Sequence, residues 1–195
     1  MPHPKNDMIL VTLKKLYGEE AIAQYVSALA AEIKEMRYDA DAIAVPVLTG
    51  ALFFAADLLR EAMWTGQIYP IIASSYNGET ESSGKVVLYS QVPDVKDKDI
   101  LIIDDILDKG NTLTYLGATF KDLGCSSCAA VTLFAKETPN EGMRTEFLEE
   151  YLSGPVVSGP TVTEFIVGYG MDVGGLYRAS PAVYAWRTGE HGYIH

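Results

Sequence analysis

The stretch that decides the fold is residues 101–112, which read Leu-Ile-Ile-Asp-Asp-Ile-Leu-Asp-Lys-Gly-Asn-Thr. An apolar run with strand character ends in two adjacent acids, Asp104 and Asp105. A third acid, Asp108, precedes a glycine turn, and a hydroxyl residue can then open a helix. The N–H groups of such a turn and the positive end of a helix dipole suit a phosphate. Since strand-end carboxylates suit sugar hydroxyls or a metal ion, the segment predicts a site for a ligand that carries both a ribose and a phosphate.

The rest of the chain predicts one α/β domain, because 195 residues fit a single core. Apolar runs that read as strands cover residues 43–48, 70–74, 85–89, 100–104, 129–134, 165–167 and 183–186. Helical spacing of apolar residues covers residues 18–37, 51–63 and 112–123. This alternation predicts a central, mostly parallel sheet with helices on both faces.

Ligands of such sheets bind beyond the carboxyl ends of the strands. Four segments follow predicted strands there: Thr49-Gly50, Ser75-Tyr76, Asp104 to Thr112, and Lys136. We therefore expect these four segments to converge on one crevice.

Composition excludes several classes of protein. The formal net charge of −11 disfavours nucleic acid as a partner, since an acidic surface repels phosphate backbones. No apolar stretch is long enough to span a bilayer, and the first residues lack the plan of a secretory signal. We expect an enzyme in the cytoplasm that acts on small molecules and contacts no membrane.

The segment at 101–112 resembles the phosphoribosyl pyrophosphate (PRPP) binding motif of type I phosphoribosyltransferases, in which four apolar residues precede the paired acids. Further segments, in the same order, are similar to the hypoxanthine-guanine branch of that family. They are Val47 to Gly50 with the helix that follows, the pair Ser75-Tyr76, Ala135 to Pro139 around Lys136, Phe165 to Asp172, and Arg178. The resemblance covers roughly residues 21–186. Thr49 and Ser74 stand where that family often has lysine.

The resemblance implies the fold, the reaction and the partners. The fold would be a single phosphoribosyltransferase domain, residues 1–195, with a mobile arm at 76–98 and a hood formed by the N-terminal and C-terminal segments. The reaction would be purine salvage, in which a 6-oxopurine (hypoxanthine, guanine or xanthine) receives the phosphoribosyl group of PRPP and pyrophosphate leaves. The cofactor would be Mg²⁺, and the protein would be a homodimer or a homotetramer.

The resemblance also implies a role for each matching residue. Asp108 would take the purine N7 proton as the catalytic base. PRPP or nucleotide would contact Asp104, Asp105, Asp108, Lys109, Gly110, Asn111 and Thr112. Pyrophosphate would contact Thr49, Gly50 and Arg178, and the purine would contact Lys136, Phe165, Ile166 and Asp172. Magnesium would bind at Asp104, Asp105 and Asp172, while Ser75 and Tyr76 would belong to the arm that closes over the site.

Other interpretations stay open on the sequence alone. The protein could be a regulatory, nucleotide-binding protein of the same fold, a transferase acting on another nucleobase, or an acid-rich response receiver. A response receiver needs its acid cluster early in the chain, whereas in this sequence the cluster is central. Among single residues, Arg178 could be a surface ion-pair partner, and we interpret Asp57 as a helix cap or surface charge.

Overall fold

The computed structural model describes residues 11–75, 86–139 and 141–188. The strands of this part are β1 Val11–Tyr17, β2 Ile43–Leu48, β3 Gln67–Ile68, β4 Ile71–Ser75, β5 Val86–Leu88, β6 Asp99–Leu107, β7 Ser127–Lys136, β8 Val156–Ser158, β9 Thr161–Val162, β10 Ile166–Val167 and β11 Val183–Thr188. The helices are α1 Glu19–Glu35, α2 Leu52–Glu61, α3 Asn111–Asp122 and α4 Glu141–Tyr151.

The larger sheet carries the strands of the sequence motifs. Its order is β5-β4-β2-β6-β7-β8, with β3 beside β2 and β9 beside β7. Every pairing in it is parallel except that of β4 with β5. The predicted mostly parallel sheet is therefore confirmed, and β6 lies in its middle, between β2 and β7.

Helices cover both faces of this sheet, so its central strands are apolar on both sides. On β6, Leu101 and Ile103 pack into the core beneath α1 and α2. Ile100 and Ile102 point the other way and pack beneath α3 and α4. This alternation explains why the strand reads as an unbroken apolar run.

A smaller antiparallel sheet joins the two ends of the described chain, in the order β1-β11-β10. Val11 pairs with Thr188, and Ile166 pairs with Ala185. The division into a hood and a mobile arm stays a prediction. Residues 76–85 of that arm lie outside the described part of the chain.

The described structure differs from the expectation at β6, which does not end at Asp104. It continues to Leu107, because the neighbouring strand β7 extends to Lys136 and pairs Leu107 with Ala135. The polarity of Asp104 and Asp105 therefore does not end this strand. The sequence pattern also missed β1, α4 and the short strands β3, β8 and β9.

No helix in the described ranges is both long and apolar enough to cross a membrane. The cytoplasmic location remains a prediction from the sequence.

Candidate active site

The paired acids are the sixth and seventh residues of the nine-residue strand β6. Asp104 is buried, and its Oδ1 accepts a hydrogen bond of 2.9 Å from the N–H of Asp105. Asp105 is half-buried. Burial, and then the neighbouring Asp105 carboxylate, raise the pKa of Asp104 well above its usual range. Burial also raises the pKa of Asp105, although the positive charge of Arg178 acts in the opposite direction.

This pair predicts that Asp104→Asn stabilises the ligand-free protein at neutral pH. A carboxyl whose pKa is raised on folding contributes its stability below the unfolded value of about 3.9 and loses it as the pH rises through the folded value. Asparagine keeps the Oδ1 acceptor without the charge. We expect urea denaturation at pH 8 to show a gain of about 1–2 kcal/mol in the free energy of unfolding, shrinking as the pH falls toward 4.

The matched control for this prediction is Asp41→Asn, because Asp41 is an exposed acid. It should change the free energy of unfolding by less than about 0.5 kcal/mol at either pH. An Asp104→Asn protein that is no more stable than wild type at pH 8 would contradict the account of the pair.

The loop after β6 forms the start of α3. Gly110 takes the left-handed conformation, with φ 83°, which favours glycine, and it caps a helix whose first turn begins at Asn111. Thr114 donates to the Gly110 carbonyl through both its N–H and its hydroxyl, each at 2.9 Å. The first N–H groups of a helix lack partners within the helix, so this end can receive an anion. Asp108 and Lys109 are exposed beside it.

Lys136 lies at the end of β7, next to this loop. The Lys136 side chain is half-buried, and its Nζ donates to the carbonyl of Glu164. Burial lowers the pKa of Lys136, while the negative charges of Asp108 and Glu164 raise it. Because an ammonium has three donor hydrogens, it can still donate to a ligand atom between Asp108 and the Phe165 segment.

The turn after β2 touches both the acids and the segment at 165–172. A Cβ atom at position 50 would overlap the Asp105 carboxylate, and one at position 170 would overlap the carbonyl of Gly50. Gly170 also has a φ of 103°. Glycine at both positions therefore lets the Asp105 side chain approach the turn at Gly50, and lets the backbone at Gly170 approach the backbone of the same turn. Thr49 is exposed at this turn, and the Leu48–Thr49 peptide bond is cis.

Arg178 binds the segment at 165–172 and lies close enough to Asp105 for its charge to act there. Its guanidinium donates to the Gly170 carbonyl at 2.6 Å and pairs with Asp172 at 2.7 Å. The other Asp172 oxygen accepts from the Gly175 N–H at 2.5 Å. Arg178 is thus an ion-pair partner, but a half-buried one rather than the surface residue of one interpretation, and its charge also reaches Asp105. Its role toward pyrophosphate stays a prediction.

Asp57 corrects an interpretation made from the sequence. It is neither a helix cap nor a free surface charge, because its carboxylate accepts a hydrogen bond of 2.5 Å from the Tyr169 hydroxyl and pairs with Arg60 at 3.1 Å. The contact fixes the loop that contains Gly170 against α2. Sequence reasoning missed it because the two residues lie 112 positions apart.

The remaining predicted residues occupy the surrounding elements. Phe165 is half-buried and its carbonyl accepts from the backbone N–H of Trp186 at 2.8 Å, while Ile166 is buried in β10. Thr112 is half-buried in the first turn of α3. Ser75 ends β4, and Tyr76 lies outside the described residues. The described members of the four predicted segments lie at or near the carboxyl ends of β2, β4, β6 and β7.

The comparison with known proteins agrees with this geometry. A family model described as the phosphoribosyl transferase domain matches residues 12–172. The chain belongs to the phosphoribosyl transferase family. The predicted family and fold are confirmed, and the response-receiver alternative is wrong.

Relatives and solved structures cover nearly the whole chain. The hypoxanthine-guanine phosphoribosyltransferases of Streptococcus mutans and Bacillus subtilis are each 34% identical over 171 residues, 87% of this chain and 91% of the relative. A hypoxanthine phosphoribosyltransferase structure from Staphylococcus aureus has a TM-score of 0.74 at 29% identity, covering 89% of this chain and 91% of that one. A hypoxanthine-guanine phosphoribosyltransferase from Bacillus anthracis has a TM-score of 0.72 at 31% identity, covering 92% and 100%. The match to phosphoribosyltransferases is thus not confined to one motif.

Proposed function

We propose that this phosphoribosyltransferase transfers the 5-phosphoribosyl group of PRPP to a 6-oxopurine and releases pyrophosphate. The observation that carries the proposal is the position of the half-buried Lys136 next to Asp108. The two residues lie at the ends of two neighbouring strands, close enough for their charges to interact. A lysine donor suits the 6-oxo oxygen of a purine, and a carboxylate beside it suits the N7 proton. The names of the relatives, hypoxanthine-guanine phosphoribosyltransferases, support the same substrates.

The phosphoribosyl half of the proposal rests on the acidic strand end and the helix start. Asp104 and Asp105 would orient the ribose hydroxyls. The main-chain N–H groups of the loop would bind the 5′-phosphate, with Lys109 adding a cation. The loop residues are Asp108, Lys109, Gly110, Asn111 and Thr112. The Thr49-Gly50 turn and Arg178 would hold the pyrophosphate, since Gly50 lies against the Asp105 carboxylate and the charge of Arg178 acts on that carboxylate.

The purine half of the proposal uses the segment that Lys136 contacts. Phe165 would stack on the ring, the Ile166 backbone would meet its edge, and Asp172 would complete this side of the site. In the reaction the C1–oxygen bond to pyrophosphate breaks, the C1–N9 bond forms, and the N7 proton passes to Asp108. The positive charge that develops on the ribose resembles that of glycoside cleavage, and neighbouring carboxylates stabilise it.

Magnesium fits the donor set of the site. Within the described ranges, no group of three or more His, Cys, Asp or Glu residues could hold a metal ion without further ligands. Mg²⁺ usually binds one or two carboxylates and takes its other ligands from water and substrate phosphates. Asp105 and Asp172, with Asp104 behind them, would hold it, and when bound it would neutralise charge on the leaving pyrophosphate.

The experiment that tests this proposal is thermal unfolding with PRPP. We expect PRPP at a hundredfold excess over its dissociation constant, together with Mg²⁺, to stabilise the protein by about 2.7 kcal/mol. For a domain of this size the melting temperature should rise by roughly 5–10 °C. PRPP with EDTA should give a much smaller rise, because the carboxylates would then repel the pyrophosphate. An unchanged melting temperature in millimolar PRPP and Mg²⁺ would contradict the proposal.

A cytoplasmic location and a homodimeric or homotetrameric assembly belong to the same proposal. Gel filtration with light scattering would test the assembly, and a monomer would contradict it.

A further inference from the structure

Arg144 of α4 is the one lysine or arginine that is buried in the part of the chain that the structure describes. Only 7% of its side chain is exposed. A buried cation is costly unless hydrogen bonds and an opposite charge compensate for the lost hydration. The groups that compensate the buried charge of Arg144 therefore indicate its structural role.

The guanidinium of Arg144 is surrounded by main-chain carbonyls. Its Nη1 lies 2.8 Å from the carbonyl oxygen of Lys136 and 3.1 Å from that of Asp108. The carbonyl of Leu107 is farther away, at 3.4 Å. Nη2 pairs with the carboxylate of Glu141, which is 61% exposed. The buried bonds thus go to two strand ends, and the ion pair faces solvent.

These two strand ends are the ends of β6 and β7, where the pairing of the two strands stops. The last pair in the register of the two strands is Leu107 with Ala135. Asp108 and Lys136 are the next residue on each strand. Arg144 bridges their carbonyls, and so holds the two segments together one step beyond the last pair of β6 with β7.

The stem of Arg144 also supports the loop at Gly110. A Cβ atom at position 110 would lie 3.7 Å from Cγ of Arg144 and 3.4 Å from a methyl group of Leu148. Both side chains belong to α4. This helix therefore lies behind the phosphate loop while its arginine bridges the strand ends.

We propose that Arg144 is a positioning residue that sets the separation between Asp108 and Lys136. The inference rests on the proposed function, in which Lys136 binds the 6-oxo oxygen and Asp108 takes the N7 proton. One rigid purine must meet both side chains at once, so their separation decides whether the bound base is aligned with the acceptor. A misplacement of about 1 Å can cost about 10²-fold in rate.

Arg144→Met tests this role, because methionine keeps an apolar stem and removes every donor. We expect kcat with hypoxanthine to fall by about 10–100-fold. PRPP should bind with a dissociation constant within about threefold of wild type, since the helix N–H groups that receive the phosphate remain. Arg144→Lys keeps the charge but lacks the planar guanidinium, which can donate to several carbonyls at once. Its kcat should lie between that of wild type and that of Arg144→Met.

The matched control is Lys121→Met. Lys121 of α3 also donates to a carbonyl of α4, that of Glu150 at 3.2 Å, but it is exposed and distant from the strand ends in sequence. This variant should keep wild-type kcat. Should Arg144→Met fail to fold, as judged by circular dichroism, Arg144→Lys decides the question by the same two measurements.

Two results would overturn the inference. One is a kcat within twofold of wild type in Arg144→Met, or in Arg144→Lys where only that variant folds. The other is a loss of PRPP affinity as large as the loss of kcat, which would indicate general loosening of the site. A wild-type protein that is inactive with every base would instead overturn the proposed function, and this inference with it.

Discussion

Asparagine in place of Asp108 should lower turnover by about 10²–10⁴-fold, the usual cost of losing a general base. Asparagine keeps the size and hydrogen bonding of the side chain but cannot take the N7 proton of the purine. The backbone of the loop is unchanged, so we expect the dissociation constant of PRPP to stay within a few-fold of wild type. Rapid-quench turnover with hypoxanthine and calorimetric titration with PRPP would measure the two effects separately.

The control for this prediction is Asp122→Asn, at the other end of α3, where the acid is exposed. It should turn over at the wild-type rate. Wild-type turnover in Asp108→Asn itself would remove Asp108 from the mechanism. A large loss of PRPP affinity in that variant would indicate a binding role instead.

Adenine should be used at least about 10²-fold less efficiently than hypoxanthine, as measured by kcat/KM at saturating PRPP. Lys136 offers only donors, and adenine presents an amino group that also donates where hypoxanthine presents an oxygen. A fully buried site of this kind can discriminate by about 10⁴–10⁵, but the Lys136 side chain is only half-buried, so the expected ratio is smaller.

Lys136→Met is the variant that ties this selectivity to one side chain. Without the ammonium, kcat/KM for hypoxanthine should fall while that for adenine changes little, so the ratio should shrink to about tenfold or less. Glu137→Gln, at the exposed neighbouring position, should keep the wild-type ratio. An unchanged ratio in Lys136→Met would show that another group reads the 6-position.

Much of the fold was predictable because the central strands can be recognised from their local sequence alone. The apolar run before Asp104 is buried on both faces, and the motif that follows combines acids, a glycine turn and a helix start. Local patterns of this kind identify β2, β4, β6 and β7. The rule that ligands bind beyond the carboxyl ends of such strands then predicts that the four segments at those ends belong to one site.

The missed elements have weak local patterns. Helix α4 reads Glu-Gly-Met-Arg-Thr-Glu-Phe-Leu-Glu-Glu-Tyr, with glycine at its second residue and little apolar periodicity. Strand β1 has two adjacent lysines, Lys14 and Lys15, and it forms by pairing with β11 from the other end of the chain. Neither pairing nor packing over that distance is visible in a local window of sequence.

The same limit applies to the site. Asp108 and Lys136 could be assigned from motifs, because each follows an apolar strand in a recognisable pattern. The hydrogen bond from Tyr169 to Asp57 and the carbonyls around Arg144 could not, because they join residues far apart in the chain and involve main-chain oxygens. On the sequence alone each of these charged residues reads as solvated, and only the fold shows that Asp57 is held by Tyr169 and that Arg144 is buried.

The most direct test of the central claim is pyrophosphate release by the wild-type protein with PRPP, Mg²⁺ and a panel of hypoxanthine, guanine, xanthine, adenine, uracil and orotate. We expect release to depend on both PRPP and a 6-oxopurine, with hypoxanthine the best substrate and guanine next. Preference for adenine or for a pyrimidine would contradict the role of Lys136. The absence of release with every base on the panel would contradict the proposed function as a whole.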